Sequence, residues 1–327
     1  MNISDLLDLF RQNIPELSER QRRECLDALE GAPKDETGAL PSVVVEAQPD
    51  CCPHCSHDKL GKWGYASGLR RWICKSCSKT FNILTKTPLA RLRKKEKWSD
   101  NAKAMIAGKS VRDTAKDCDV QPNTAFLWRH RFLECQRSAQ HANLKGIAES
   151  DVTYFYRSEK GKKKLDRPPR KRGGDGIGPG LSGDLVPVVT LRDRSGKGAD
   201  RVAVTNLTLH AYDLYKVHLS DDTLLITDGG KEICAAARQR NPEAHLELPG
   251  RESRGCGKSP YHIQTTNSFH GNLKSWIRRF NGVATKYLAN YVGWHRHLAE
   301  GNHDKDPNSF ITLSFRPLAI SQQLITT

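Results

Sequence analysis

No stretch of this 327-residue sequence is apolar for long enough to cross a bilayer, and no internal repeat is visible, so a helical membrane protein and a solenoid are both excluded. The first residues, MNISDLLDLFRQNIPELSERQRR, are amphipathic and lack the apolar centre of a signal peptide. The expectation is a protein that stays inside the cell with its ten cysteines reduced. Clustered cysteines then read as metal ligands and not as disulfides. Acidic side chains are scarce beside basic ones. The 37 Asp and Glu stand against 52 Lys and Arg, a formal net charge of +15. Such an excess points to a polyanionic partner, because neutralising phosphates releases condensed counterions.

The length suits two or three domains. Residues 1–48 read as a helical N-terminal segment and linker: Leu6, Leu7, Phe10, Ile14 and Leu17 recur at helical spacing, with Pro15 interrupting them. A cysteine block at 49–84 follows. Within it Cys52-Pro-His-Cys55 and Cys74-Lys-Ser-Cys77 are separated by eighteen residues. Each pair can wrap two thiolates around one tetrahedral Zn²⁺ from a tight turn, and the intervening stretch suits a β-hairpin. The expectation is a zinc ribbon, with Cys51 and His54 as spectators.

Residues 85–140 begin with a basic stretch and continue as SVRDTAKDCDVQPNTAFLWRHRFL, two helices around a tight turn. Val111 and Ala115 share a face of the first helix, Val120 plugs the turn, and Pro122 or Asn123 opens the second. Ala125, Trp128 and Phe132 recur at core spacing there, which leaves Thr124, Phe126, Arg129 and Arg131 on other faces, with Thr124, Arg129 and Arg131 as candidates for a DNA groove. Asp119 stands at the turn where Gly is common, and Asp tolerates the left-handed conformation well.

From about residue 145 the grammar is α/β. DVTYFY, LVPVVTLRD, RVAVTNLT and DTLLITD read as strands, and amphipathic helices return near 267–281 and 283–300. Between the first two strands lies a loop whose opening fourteen residues, EKGKKKLDRPPRKR, hold eight basic and two acidic side chains. Asp151 stands in the first strand, with Glu149 on the same face. Asp228 ends an apolar strand at a Gly pair. Asn267 and Lys274, seven residues apart, share a face of the third segment, TTNSFHGNLKSWIRRF. Acids brought together in this way suit Mg²⁺ or Mn²⁺, and two such ions can drive an in-line phosphoryl displacement.

The ordered motifs C-P-H-C with C-x-x-C, TFN-x-LTKTPLARLRKKEKW, SDVTYF, PPRKRGG, ITDGGK and YHIQTTNSFHGNLKSWIRRFNGVATKYLANYVGWHR resemble those of bacterial insertion-sequence transposases of the ISXO type, from about residue 50 to 298. The resemblance implies the DDE superfamily in its DDNK variant. It implies a ribonuclease H-like α/β catalytic domain at 145–305, a mixed sheet flanked by helices, with 306–327 as a C-terminal tail. It also implies Asp151 and Asp228 as metal ligands and Asn267 at the third position, where relatives with Glu also carry Lys seven residues later. His270, one turn further on, is an alternative third ligand. Lys274, Arg278 and Arg279 are expected on DNA phosphates. The implied partners are double-stranded DNA, both element ends and target, and further copies of the chain in a dimer or larger synaptic complex. The implied location is the bacterial cytoplasm, at the nucleoid. A catalytically inactive DNA-binding regulator with the same architecture is the alternative.

Overall fold

The computed structural model describes residues 40–165, 184–250, 259–300 and 306–315. The helical pair expected over 3–30 and the Gly/Pro-rich end of the basic loop lie outside the described residues. A short helix, α1 (Ser42–Glu46), leads into a three-stranded antiparallel sheet of β1 (Leu60–Ala66), β2 (Leu69–Cys74) and β3 (Thr80–Asn82). Gly68 allows the β1–β2 turn at φ 76°, a left-handed value that an L side chain resists. Three helices follow: α2 (Trp98–Ile106), α3 (Val111–Asp117) and α4 (Pro122–Ser138).

Local chemistry sets the ends of these helices. Ser110 caps α3 by accepting the Asp113 N–H at 3.2 Å, and Pro122 occupies the first position of α4, where a missing N–H costs nothing. Asp119 takes the turn at φ 49°, the left-handed conformation expected of it. Ala125, Trp128 and Phe132 are buried on one face of α4, and Val120 packs against the same cluster.

The α/β part runs β4 (Ile147–Tyr156), β5 (Leu185–Asp193), β6 (Gly198–Val202), α5 (Leu207–His218), β7 (Leu224–Thr227), α6 (Lys231–Arg240), β8 (His245–Glu247), α7 (Gln264–Arg278), α8 (Thr285–Ala299) and α9 (Pro307–Phe315). Its strands form one mixed sheet in the order β6-β5-β4-β7-β8. β4 is antiparallel to β5, as β5 is to β6, whereas β4, β7 and β8 are mutually parallel. Side chains on β5 alternate between two cores. Val186 and Val188 face the cluster that holds α7 and α8, while Val189 and Leu191 face α5 and α6. Apolar burial on both faces at about 25 cal/mol per Å² supplies the main stabilisation.

The helical unit and the α/β unit share a core. Trp98, Trp128 and Phe132 belong to the same cluster as Val188, Leu273 and Trp294. Helices α4 and α8 cross so closely at Gly293 that a Cβ there would lie 2.8 Å from the Arg137 Cα. Arg296 of α8, almost wholly buried, caps the end of α4 through the carbonyls of Gln136 (3.0 Å) and Ala139 (3.2 Å) and ion-pairs with Asp200. The stretch from residue 306, expected as a tail, instead carries α9. Phe310 and Ile311 are buried in the shared core, so apolar contact holds this segment against α2 and α4.

Candidate functional site

The four cysteines of the first sheet converge. Their sulfurs lie within 4.8 Å of one another, with Cys52 to Cys77 at 3.7 Å and Cys55 to Cys74 at 3.6 Å. Four thiolates about 2.3 Å from a common ion would be spaced by roughly 3.8 Å, so the cluster could hold a metal ion such as zinc. The two turns are built alike. Cys52 and Cys74 each accept a backbone N–H on sulfur at 3.4 Å, from His54 and Ser76, and Ser56 and Ser78 adopt φ 60° and 54°. The backbone N–H of Cys77 draws the Cys74 thiol down to about 6 against burial, while Cys55, despite a backbone N–H from His57, is pushed up to about 12 by burial and the three neighbouring sulfurs. Cys51 stands outside the cluster.

On the mixed sheet, Ser150 pairs with Thr227 across the parallel β4–β7 ladder, so the next residues, Asp151 in the middle of β4 and Asp228 just past the end of β7, emerge side by side. Gly229, at φ 89°, turns the chain away immediately after Asp228. The Asp228 carboxyl is pushed above its ordinary range, first by burial and then by the neighbouring Asp151 charge, against one N–H bond from Gly230 at 3.1 Å. Asp151 accepts its own strand's Val152 N–H at 2.6 Å. The charge is felt at Tyr154 as well: burial, then Glu232, Asp151 and Asp228, raise its phenol.

Helix α7 lies over this site, and a buried carboxylate fixes its start. Ile263 gives the helix no side-chain cap. Glu149, fully buried on β4, takes that role from another element. Its Oε2 accepts the Thr266 N–H at 3.0 Å, and its Oε1 accepts the Thr265 hydroxyl at 2.8 Å and pairs with Arg194. An anion at a helix N-terminus is favoured by the helix dipole as well as by the bonds. The sequence places Glu149 on the face of Asp151, but only the fold shows it anchoring α7. Arg194 and His262 complete that anchor, and nothing in their local sequence marks them.

The α7 side chain that meets Asp151 is His270, whose Nδ1 lies 3.5 Å from Oδ2, while its Nε2 is buried without a partner. Asn267, three residues earlier, is exposed, as are Lys274, Arg278 and Arg279 along the same helix. In the helical unit, Arg131 is exposed and Thr124 half-buried. Arg129 is different and corrects the expectation for it. Only 1% exposed, it donates to the Lys109 carbonyl at 2.6 Å and to Thr114 at 3.2 Å, and lies 5.2 Å from the Trp294 ring centre. A guanidinium enclosed this way joins α3, α4 and α8 and cannot reach a DNA groove.

No family model matches the chain. Over 253 residues it is 26% identical to an uncharacterized protein in the transposable element ISH50 of Halobacterium salinarum, covering 74% of this chain and 82% of that protein. The fold and sites define a mixed α/β protein with a four-cysteine cluster and two carboxylates side by side on neighbouring inner strands. The likeness to a mobile-element protein suggests a transposase-related protein. Among the described residues no helix is long and apolar enough to cross a membrane.

Proposed function

We propose that the chain is a DNA transposase of the ISXO type that binds the terminal inverted repeats of its element, cleaves there and joins the freed ends to target DNA. The observation that carries this is the pair Asp151 and Asp228, brought side by side where β7 ends against the middle of β4, with burial and then the Asp151 charge raising the Asp228 carboxyl. Two carboxylates in mutual repulsion suit a divalent cation, and the oxygen-rich donors fit Mg²⁺ or Mn²⁺. In this reading the mixed sheet is a ribonuclease H-like core, the four cysteines hold structural Zn²⁺, and α3 and α4 form the helix-turn-helix.

Asp151 and Asp228 would hold the catalytic ions, with Asn267 offering a neutral oxygen from α7. The bound ions supply charge neutralisation for an in-line displacement at phosphorus. Glu149 fixes the start of α7, the helix that would carry Asn267 to this site. Lys274, Arg278 and Arg279, exposed along α7, would bind DNA phosphates and orient the scissile strand. Cleavage and joining use the same geometry with different nucleophiles, so one site serves both.

The test is single-turnover cleavage of a labelled element end in Mg²⁺ and in Mn²⁺. Asp151→Ala and Asp228→Ala should abolish cleavage while end binding stays nearly intact. Asn267→Ala should be severely impaired, Asn267→Glu should keep some activity, and His270→Ala should cost much less. Full activity in Asn267→Ala with loss in His270→Ala would move the third ligand to His270. Cleavage surviving in both aspartate variants would remove the proposal.

A further inference from the structure

A cavity of about 910 Å³ lies between the helix-turn-helix and the corner joining α7 to α8. One wall is the start of α4 with Arg112 of α3; the other is the 279–284 corner with Tyr287 of α8, and Lys160 stands at the rim. Two properties set it apart. The first is charge: Arg112, Lys160 and Arg279 line it, with the enclosed Arg129 in its wall, and no Asp or Glu does among the described residues. The first turn of α4 carries no acid and Gln121 provides no side-chain cap, so the positive end of a 17-residue helix opens into the same space.

The second property is aromatic surface. His130 stacks on Tyr287 with ring centres 3.7 Å apart and planes at 19°, and Phe126 stands edge-on to both at 4.6 and 5.6 Å. Phe126 remains 40% exposed despite these contacts. A second cavity of about 570 Å³ shares Arg112 and Pro122 and continues the cationic track over Lys94 and Lys116, with Asp119 as its one acid.

We propose that this cavity binds an unpaired nucleotide of a DNA strand, its base against Phe126 and the His130–Tyr287 stack and its phosphates on Arg112, Lys160 and Arg279. Paired DNA presents phosphates outside and keeps its base faces inside, so an intact duplex would satisfy the cations but leave the rings nothing to stack on. An unpaired base offers both a π-face and a charge, and stacking of this kind tolerates any base. The inference deepens the DNA-processing reading and rests on it. It adds that the wall contributed by α7 and α8 grips the same strand as the helix-turn-helix.

The test uses the full-length, zinc-loaded protein and fluorescence anisotropy with two probes of one sequence: a blunt duplex, and that duplex with a short single-stranded overhang. The overhang should bind about tenfold more tightly, the gain expected of one stacked base. Phe126→Ala should remove that preference while leaving blunt-duplex affinity within about twofold, and Phe126→Trp should restore it. The blunt duplex thereby reports the fold of each variant. A 5-iododeoxyuridine in the overhang should photocrosslink to the peptide holding Phe126 or Tyr287. Equal affinity for the two probes, or a preference that survives Phe126→Ala, overturns the pocket and leaves duplex binding standing. Binding of neither probe overturns both readings.

Discussion

Asp228→Asn tests how much strain the two carboxylates carry before any cation arrives. Asp151 and Asp228 emerge from neighbouring parallel strands, which run about 4.8 Å apart. Two full charges about 4 Å apart would repel by roughly 4 kcal/mol at an effective dielectric of about 20, an upper bound. Each carboxylate already accepts one backbone N–H, from Val152 at 2.6 Å and from Gly230 at 3.1 Å. Water reaches both partly buried side chains as well, so the expected net strain is about 1–2 kcal/mol. Asn keeps the volume and the acceptor for Gly230 and removes the charge. The variant should therefore melt about 1.5–3 °C above the wild type at neutral pH without divalent ions.

The pH dependence has a definite sign. The folded pKa of Asp228 is raised, so its charge destabilises the fold above that value and not below the ordinary carboxylate value of 3.8. The advantage of Asn should shrink as pH falls toward that value. Added Mg²⁺ should raise the melting temperature of the wild type, because ligand that binds only the folded state stabilises it, and should leave the variant almost unmoved. Thermal scans with and without Mg²⁺ across pH measure all of this. A variant less stable than wild type at neutral pH, with its Mg²⁺ response intact, would refute both the strain and the cation site.

The purified protein should contain one Zn²⁺ per chain by elemental analysis, retained in Cys51→Ser and lost in the double variant Cys74→Ser/Cys77→Ser; zinc surviving in the double variant would refute the four-sulfur site. Arg129→Ala should cost about 3 kcal/mol in urea unfolding, since it empties a buried space and strips the Lys109 carbonyl of its donor, and a stable variant would mean that the guanidinium is not enclosed. Arg131→Ala should do the reverse, moving stability by less than about 0.5 kcal/mol while weakening duplex binding and lowering its salt slope by about one; unchanged binding would remove Arg131 from the interface.

Much of the site chemistry was legible because it depends on short-range spacing. Two C-x-x-C turns declare a four-sulfur cluster, since the chain between them need only form a hairpin to close it. The apolar run ending in Asp228 and a Gly pair declared a strand whose carboxylate sits at its end, and periodicity placed Ala125, Trp128 and Phe132 inward. Helices α5 and α6 went unread, because their buried Ala and Leu are spread among polar residues that do not mark a face from sequence alone.

Tertiary structure decided what periodicity cannot. Arg129, four residues after Ala125 and three before Phe132, flanks the apolar stripe of α4, and only the packing of α8 over that flank makes it an internal strut. The nominal tail became α9 because Phe310 and Ile311 find a hydrophobic surface assembled from helices some 200 residues earlier. Glu149 became the cap of a helix that begins 115 residues later, and His270 came to face Asp151. Sequence fixes which groups can ligate, cap or pack, because those are properties of the side chain and its immediate turn. Which distant partner each group meets depends on helix crossings and strand order, and those follow from burying many weak apolar contacts together.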